Sequence, residues 1–233
     1  MILSVHQPQY LPYSGFFDKI AKSDVFVFLD DFQYKKREFQ NRNRVRTGSG
    51  GQWLTVPVIA GGKYFQKINE VKIDNSARWQ KKHWAAIRQN YSKADYFCDF
   101  SGFFENLYAK EWTKLVDLNT EIIYYLLQTF DIKAEILIES ALEINSNKTE
   151  RLIDLCKKLG ADTYLSGAGG RDYMEESRFA EEKIKLIYQD FKHPVYKQMY
   201  MKDKADFLPY LSAIDLLFNC GENSRNFFKE RQL

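Results

Sequence analysis

A chain of 233 residues with 45% hydrophobic side chains is long enough to bury a full core, and no run of about 18 apolar residues is present to cross a membrane as a helix. Basic and acidic side chains number 34 and 31, so the net charge of +3 does not by itself mark a polyanion or membrane binder. Cys98, Cys156 and Cys220 form no C-x-x-C pair and there are three histidines, which argues against a disulfide framework or a Cys/His-rich zinc site.

Met1 leads straight into apolar residues without a basic segment or small-residue cleavage site, so no signal peptide is predicted and the cytoplasm is the expected compartment. Ile2, Leu3 and Val5 are a short apolar run that stops at His6. Pro8, Pro12 and Gly15 oppose regular structure until about Phe16, after which Phe16, Phe17, Ile20 and Ala21 recur at helical spacing. Residues 24–29 then read as a strand buried on both faces, completing a β-loop-α-β unit. Ligands of such units sit beyond the carboxyl ends of the strands, which here carry His6-Gln7 and Asp30-Asp31, so these two polar clusters are expected to face one crevice. Neither G-x-G-x-x-G nor a Walker-type lysine loop is present, which disfavours a plain dinucleotide or P-loop site. By analogy of fold only, the strand, His/Pro/Gly loop and helix resemble nucleotidyltransferases and class I synthetases, whose histidines contact ATP phosphates; their paired-histidine motif is not reproduced.

Lys35, Lys36, Arg37, Arg42, Arg44 and Arg46 crowd the next segment against Glu38. Arginine grips phosphate oxygens in pairs, so this cluster reads either as a phosphate contact or as a solvated loop face; the hydrogen-bonding run Gln40-Asn41-Arg42-Asn43, which a merely soluble loop does not need, puts the first level with the second. A turn at 48–51, a strand at 53–59 with Pro57 at its edge or end, and a half-exposed strand at 67–74 follow. A helix is predicted over 76–91 with Ser76 as N-cap and His83 as a hydrogen-bonded packing residue on its apolar stripe. Two more helices lie within 96–112 and 115–130, and a strand at 134–138.

Asn147 opens a helix with Glu150 placed as in a capping box, Cys156 facing inward and Gly160 as its stop. A strand at 163–165 runs into Ser166-Gly167-Ala168-Gly169-Gly170-Arg171, whose glycines allow close backbone approach, and a helix start near Asp172 would favour an anion. Ser166 lacks the G-x-S-x-G setting and an evident base, so ligand contact is its assigned role. Residues 183–190 alternate as a strand, 191–198 form a polar and aromatic loop with His193, and a helix is predicted from Phe207 to Gly221, with Asp215 either a buried anchor or a site residue. The fold class is α/β: a mostly parallel sheet flanked by helices, Rossmann-like and nucleotidyltransferase-like, one domain over 1–233 with a helical insertion at about 76–131.

The motifs His6-Gln7-Pro8-x-Tyr10-Leu11-Pro12-x-x-Gly15, Asp30-Asp31-x-Gln33-Tyr34, Gln40-Asn41-Arg42-Asn43, Tyr164-Leu165-Ser166-Gly167-x-Gly169-Gly170, His193-Pro194-x-Tyr196-x-Gln198 and the run from Leu211 to Gly221 resemble, in order, the WbqC-like family. That family accompanies bacterial O-antigen and other surface-polysaccharide genes. The resemblance implies transfer of glycine, or a similar aminoacyl or acyl unit, to the amine of a nucleotide-linked amino sugar. The donor is an adenylate, a thioester on an acyl carrier, or an aminoacyl-tRNA; an adenylate route would call for ATP and Mg²⁺. From side-chain chemistry, His6 is the candidate base, oriented by Asp30 or Asp31. Arg37, Arg42, Arg171 and the backbone of Ser166, Gly167, Gly169 and Gly170 would hold phosphates, and Tyr10 would stack on a base. Gln7, Gln33, Asn41, Asn43, His193 and Asp215 complete the expected substrate contacts; no metal ligands are assigned. The rival reading is a non-catalytic nucleotide- or RNA-binding protein.

Overall fold

The computed structural model describes residues 1–172 and 174–229. Five strands form a parallel sheet: β1 (Ile2–His6), β2 (Val25–Phe28), β5 (Glu135–Ile138), β6 (Thr163–Ser166) and β7 (Lys185–Tyr188). Their order across the sheet is β5-β2-β1-β6-β7. The chain therefore builds outward from β1 on one side, then crosses to build on the other, which is the doubly wound Rossmann arrangement with its switch point between β1 and β6.

Alternation along the central strands feeds two cores. Leu3, Val5, Val25, Val27 and Leu29 pack with Leu152, Leu155 and Cys156 of α5 (Lys148–Leu159) and Phe179 of α6 (Glu176–Glu181). Phe26 and Phe28 face the opposite core, with Phe16, Phe17 and Ile20 of α1 (Ser14–Ala21). Burial on both faces is why the β2 sequence is apolar without interruption. Cys156 is fully buried and burial pushes its thiol up to about 12, as suits a core residue.

Between β2 and β5 the chain inserts a hairpin, β3 (Arg42–Thr47) and β4 (Gly50–Thr55), and three helices, α2 (Trp79–Tyr91), α3 (Phe97–Ala109) and α4 (Leu115–Thr129). The basic segment is thus partly strand: Asn43 and Val45 point inward while the Arg42 and Arg44 guanidiniums lie over the Trp53 ring. The strand expected at 67–74 is instead a 3₁₀ turn, Ile68–Glu70, followed by single bridges, although Ile68, Val71 and Ile73 are buried as the pattern demanded. Helix α2 begins later than predicted because Arg78 adopts a left-handed conformation, and Ser76 belongs to a separate turn capped by Asp74.

Asn147 does precede α5, but the capping box does not form; Glu150 bonds Arg178 instead. No helix starts at Asp172, which ends the 3₁₀ segment Ala168–Asp172. The last α-helix, α7 (Ala213–Cys220), starts at Ser212 rather than Phe207, because Pro209 disfavours helical backbone at Leu208 and the Ser212 hydroxyl caps Ile214.

One buried carboxylate ties these parts together. Asp215 of α7 accepts from the Tyr91 hydroxyl of α2 at 2.8 Å, and from Tyr196 and Gln198 at 2.7 and 2.9 Å. Asp215→Ala would leave three buried donors unpaired, and a loss of about 3 kcal/mol or more is expected in urea unfolding; an unchanged midpoint would remove this anchor from the account.

Candidate functional site

The switch point carries a cleft of about 350 Å³ lined by His6, Tyr13, Gly15, Lys19, Gly167 and Gly169, together with Gln189, Asp190, Phe191 and Tyr210. His6 ends β1 on the α1 face, where its ring meets the edge of Phe16 at 5.4 Å. Its Nδ1 donates to the Gln7 carbonyl at 2.9 Å, which leaves Nε2 as the lone-pair nitrogen. Burial, then the Lys19 charge, lowers the imidazole to about 4, so His6 is neutral at ordinary pH. Lys19 is 5% exposed and its Nζ donates to the Val5 carbonyl at 2.8 Å; burial lowers it to about 7. Gln189 closes the side wall by donating to the Gly15 carbonyl and to Asp18.

Two glycines shape the opposite lip. A Cβ on Gly170 would fall on the Ser166 hydroxyl, and one on Gly167 would stand 3.8 Å from the Lys19 amine. The Ser166 hydroxyl itself is buried and donates to the Gly167 carbonyl at 2.9 Å, so it braces the turn.

The other strand-end pair faces elsewhere, because β2 lies on the far side of β1 from the switch point. Asp30 is buried and accepts from the Ser140 N–H and hydroxyl at 2.9 and 2.7 Å and from Asn69. Asp31 pairs with Lys67 at 2.7 Å and with Arg151 at 3.6 Å, and these groups line two separate hollows with Glu70 and Glu143. His6 and the carboxylates therefore do not share one crevice, and neither Asp30 nor Asp31 bonds the imidazole.

Several motif residues hold the chain to itself. Tyr10 is fully buried with its hydroxyl between His83 Nδ1 at 2.8 Å and the Tyr108 hydroxyl at 2.5 Å, so its ring has no face to offer a base. Asn43 donates to the carbonyl of Leu11, a residue with positive φ, Asn41 donates to Val56, and Gln40 reaches Gln7 at 3.3 Å. Gln33 donates to the Tyr64 carbonyl. Arg37 is exposed, and Arg171 lies over the Tyr188 ring at 4.2 Å. His193 donates to Pro194 and is ringed by Phe191, Tyr196, Phe207 and Tyr210 behind the cleft wall.

Lys19, Gln189, Asp190 and Tyr210 are lining residues that the sequence reading did not name. Lys19 left one trace: a lysine three residues after Phe16, on the apolar stripe of α1, where a charge is costly. Among the described residues no group of three or more His, Cys, Asp or Glu side chains is placed to hold a metal ion.

A profile of the WbqC-like protein family matches residues 7–227. The chain belongs to that family. It is also 36% identical over 229 residues to a Mycobacterium tuberculosis protein, described as uncharacterized protein Rv1507c, with 97% of each chain covered. No solved structure shows a significant match. The family match covers the Asp215 network and every cleft residue except His6, which stands one residue before it.

Two measurements check the site's packing and charge. Gly170→Ala is expected to lower stability by about 1–3 kcal/mol as the 167–170 turn is displaced, whereas Gly169→Ala, with open space around its Cβ, is expected to melt like the parent. His6 and His83, both held neutral by burial with values of about 4, bind fewer protons folded than unfolded. Stability should therefore fall as pH drops from about 6.5 to about 4, and His83→Gln should flatten that decline in pH-dependent urea melts.

Proposed function

We propose that this protein transfers glycine, or a similar aminoacyl or acyl unit, to the amine of a nucleotide-linked amino sugar in the cytoplasm, as a step in O-antigen or related surface-polysaccharide biosynthesis. The observation that carries this reading is the switch-point cleft, where an uncharged imidazole with a free Nε2 stands beside a glycine-lipped pocket large enough for a sugar and part of its phosphates. Acylation of an amine forms a C–N bond, expels the donor's leaving group and releases one proton from the nitrogen. His6 Nε2 takes that proton from the cationic adduct and passes it to the departing group, since an imidazole lowered to about 4 is too weak a base to keep it. The reaction class follows what the resemblance to the WbqC-like family implies; the match itself carries the membership.

Asp30 and Asp31 act in this scheme as supports, since their oxygens are engaged by Ser140, Asn69, Lys67 and Arg151. Should the donor be an adenylate made from ATP, its Mg²⁺ would be carried chiefly by the nucleotide's own phosphates and water. An acyl carrier or aminoacyl-tRNA would deliver the unit already activated.

A second reading, RNA binding without chemistry, is favoured by one feature. Trp53 is 43% exposed with Arg42 4.3 Å from its ring and Phe39 beside it, a basic and aromatic surface on the hairpin. Ionic strength separates the two, because RNA binding falls steeply with salt while a two-phosphate ligand shows a shallow slope.

The test is incubation with dTDP- or UDP-linked amino sugars and glycine, with ATP and Mg²⁺ or with charged tRNA, followed by mass spectrometry of the sugar nucleotide. A glycyl adduct is expected, and His6→Gln should lower its rate about 100-fold or more with the melting temperature retained. Wild-type rates in His6→Gln would remove His6 as the base, and no adduct with any donor would overturn the function.

A further inference from the structure

We propose that Lys19 is the anion-binding group of the switch-point cleft, its ammonium taking a phosphate of the nucleotide portion of the ligand. A buried charge is tolerated when it is paired, yet among the described residues no carboxylate lies within ion-pair distance of this amine. Its hydrogen-bond partner is a neutral carbonyl, that of Val5, so two of the three ammonium protons remain to be satisfied. The neighbouring acid on α1, Asp18, is taken up by Lys22 and Gln189. A counter-charge brought by a ligand completes the site.

The surroundings leave room for a phosphate beside the amine. Gly167 brings loop backbone close to the amine, a Cβ there standing 3.8 Å from it, and Gly15, packed under the Tyr13 ring, lines the same cleft. Tyr13, the residue before that helix, makes no side-chain cap; its carbonyl takes the Phe16 N–H at 3.0 Å. The other polar residues lining the cleft are His6 from β1, Tyr13, Tyr210, and Gln189 and Asp190 after β7; Asp190 is the one carboxylate among them, next to Gln189, which bonds Gly15 and Asp18 of α1. A neutral His6 adds no competing cation, so the anion's attraction is centred on Lys19.

Because burial holds the free amine at about 7, an anion that restores the ammonium must draw in a proton at higher pH. Affinity should accordingly weaken as pH rises above about 7, with up to about one proton taken up per ligand near pH 8. This inference uses the proposed function for the nucleotide alone: Lys19-dependent binding of dTDP without acyl transfer would overturn that function and leave this assignment standing.

The experiment is isothermal titration of dTDP, pyrophosphate and glycine into the wild-type protein, Lys19→Met and Lys19→Arg, at pH values from about 6 to 8.5 in buffers of different ionisation enthalpy. Lys19→Met, near in shape and free of the buried charge, is expected to melt at or above the wild-type temperature. It should lose about tenfold to a hundredfold in dTDP and pyrophosphate affinity. Lys19→Arg, always charged, should keep some affinity and lose the proton uptake. Equal dTDP affinity in wild type and Lys19→Met, or a loss confined to glycine, would overturn the phosphate assignment.

Discussion

A carboxylate with no access to water must be hydrogen-bonded on every side, and Asp215 imposes that condition on three distant parts of the chain. Its oxygens take the Tyr91 hydroxyl from α2 and Tyr196 and Gln198 from the long loop after β7, and Tyr91 in turn accepts the backbone N–H of Arg46 in β3. Burial raises the Asp215 carboxyl while these donors pull it back, the balance expected of an anchor that must stay satisfied. The inserted hairpin, the inserted helices and the C-terminal helix are thereby fixed relative to one another. Phe191 and Tyr210, which wall the cleft, ride on segments so fixed.

The cleft shows the opposite economy. Lys19 and His6 sit at its floor at a cost in desolvation, and the fold keeps them there with little more than one backbone carbonyl each. Aromatic packing beneath them supplies stability: Phe16 contacts His6, Phe17 and Phe26 edge to face, and Phe17 meets Phe130 across α4. A rigid apolar platform carrying two under-partnered titratable groups is the arrangement in which sites, rather than cores, are found.

Much of the motif content proves to be scaffolding for that platform. Leu11 holds a left-handed backbone because the Asn43 amide bonds its carbonyl, and Asn119 donates to both Pro8 and Gln40, so the β1–α1 loop is fastened from the insertion. Tyr10, His83 and Tyr108 form a buried polar chain joining that same loop to α2 and α3. Burial with fixed partners accounts for a histidine, tyrosine or asparagine in these motifs as well as catalysis would.

The sequence by itself determined the elements whose signals are local: the apolar run of β2, the helices α2 to α5, the glycine that ends α5 at φ 70°, and the polar end of β1. It misjudged 67–74 and the starts of α2 and α7, where turn geometry, the left-handed Arg78 and Pro209 outweigh periodicity. Only the tertiary structure decided which polar groups meet. Strand order puts β1 between β2 and β6; Asp30 is drawn to Ser140 and Asn69 on the β5 side, while His6 lines the cleft on the β6 side with Lys19 and the 167–169 turn. The physical reason is that pairing order in a parallel sheet is set by long crossovers and by burial on both faces, and neither leaves a mark on the residues at the strand ends.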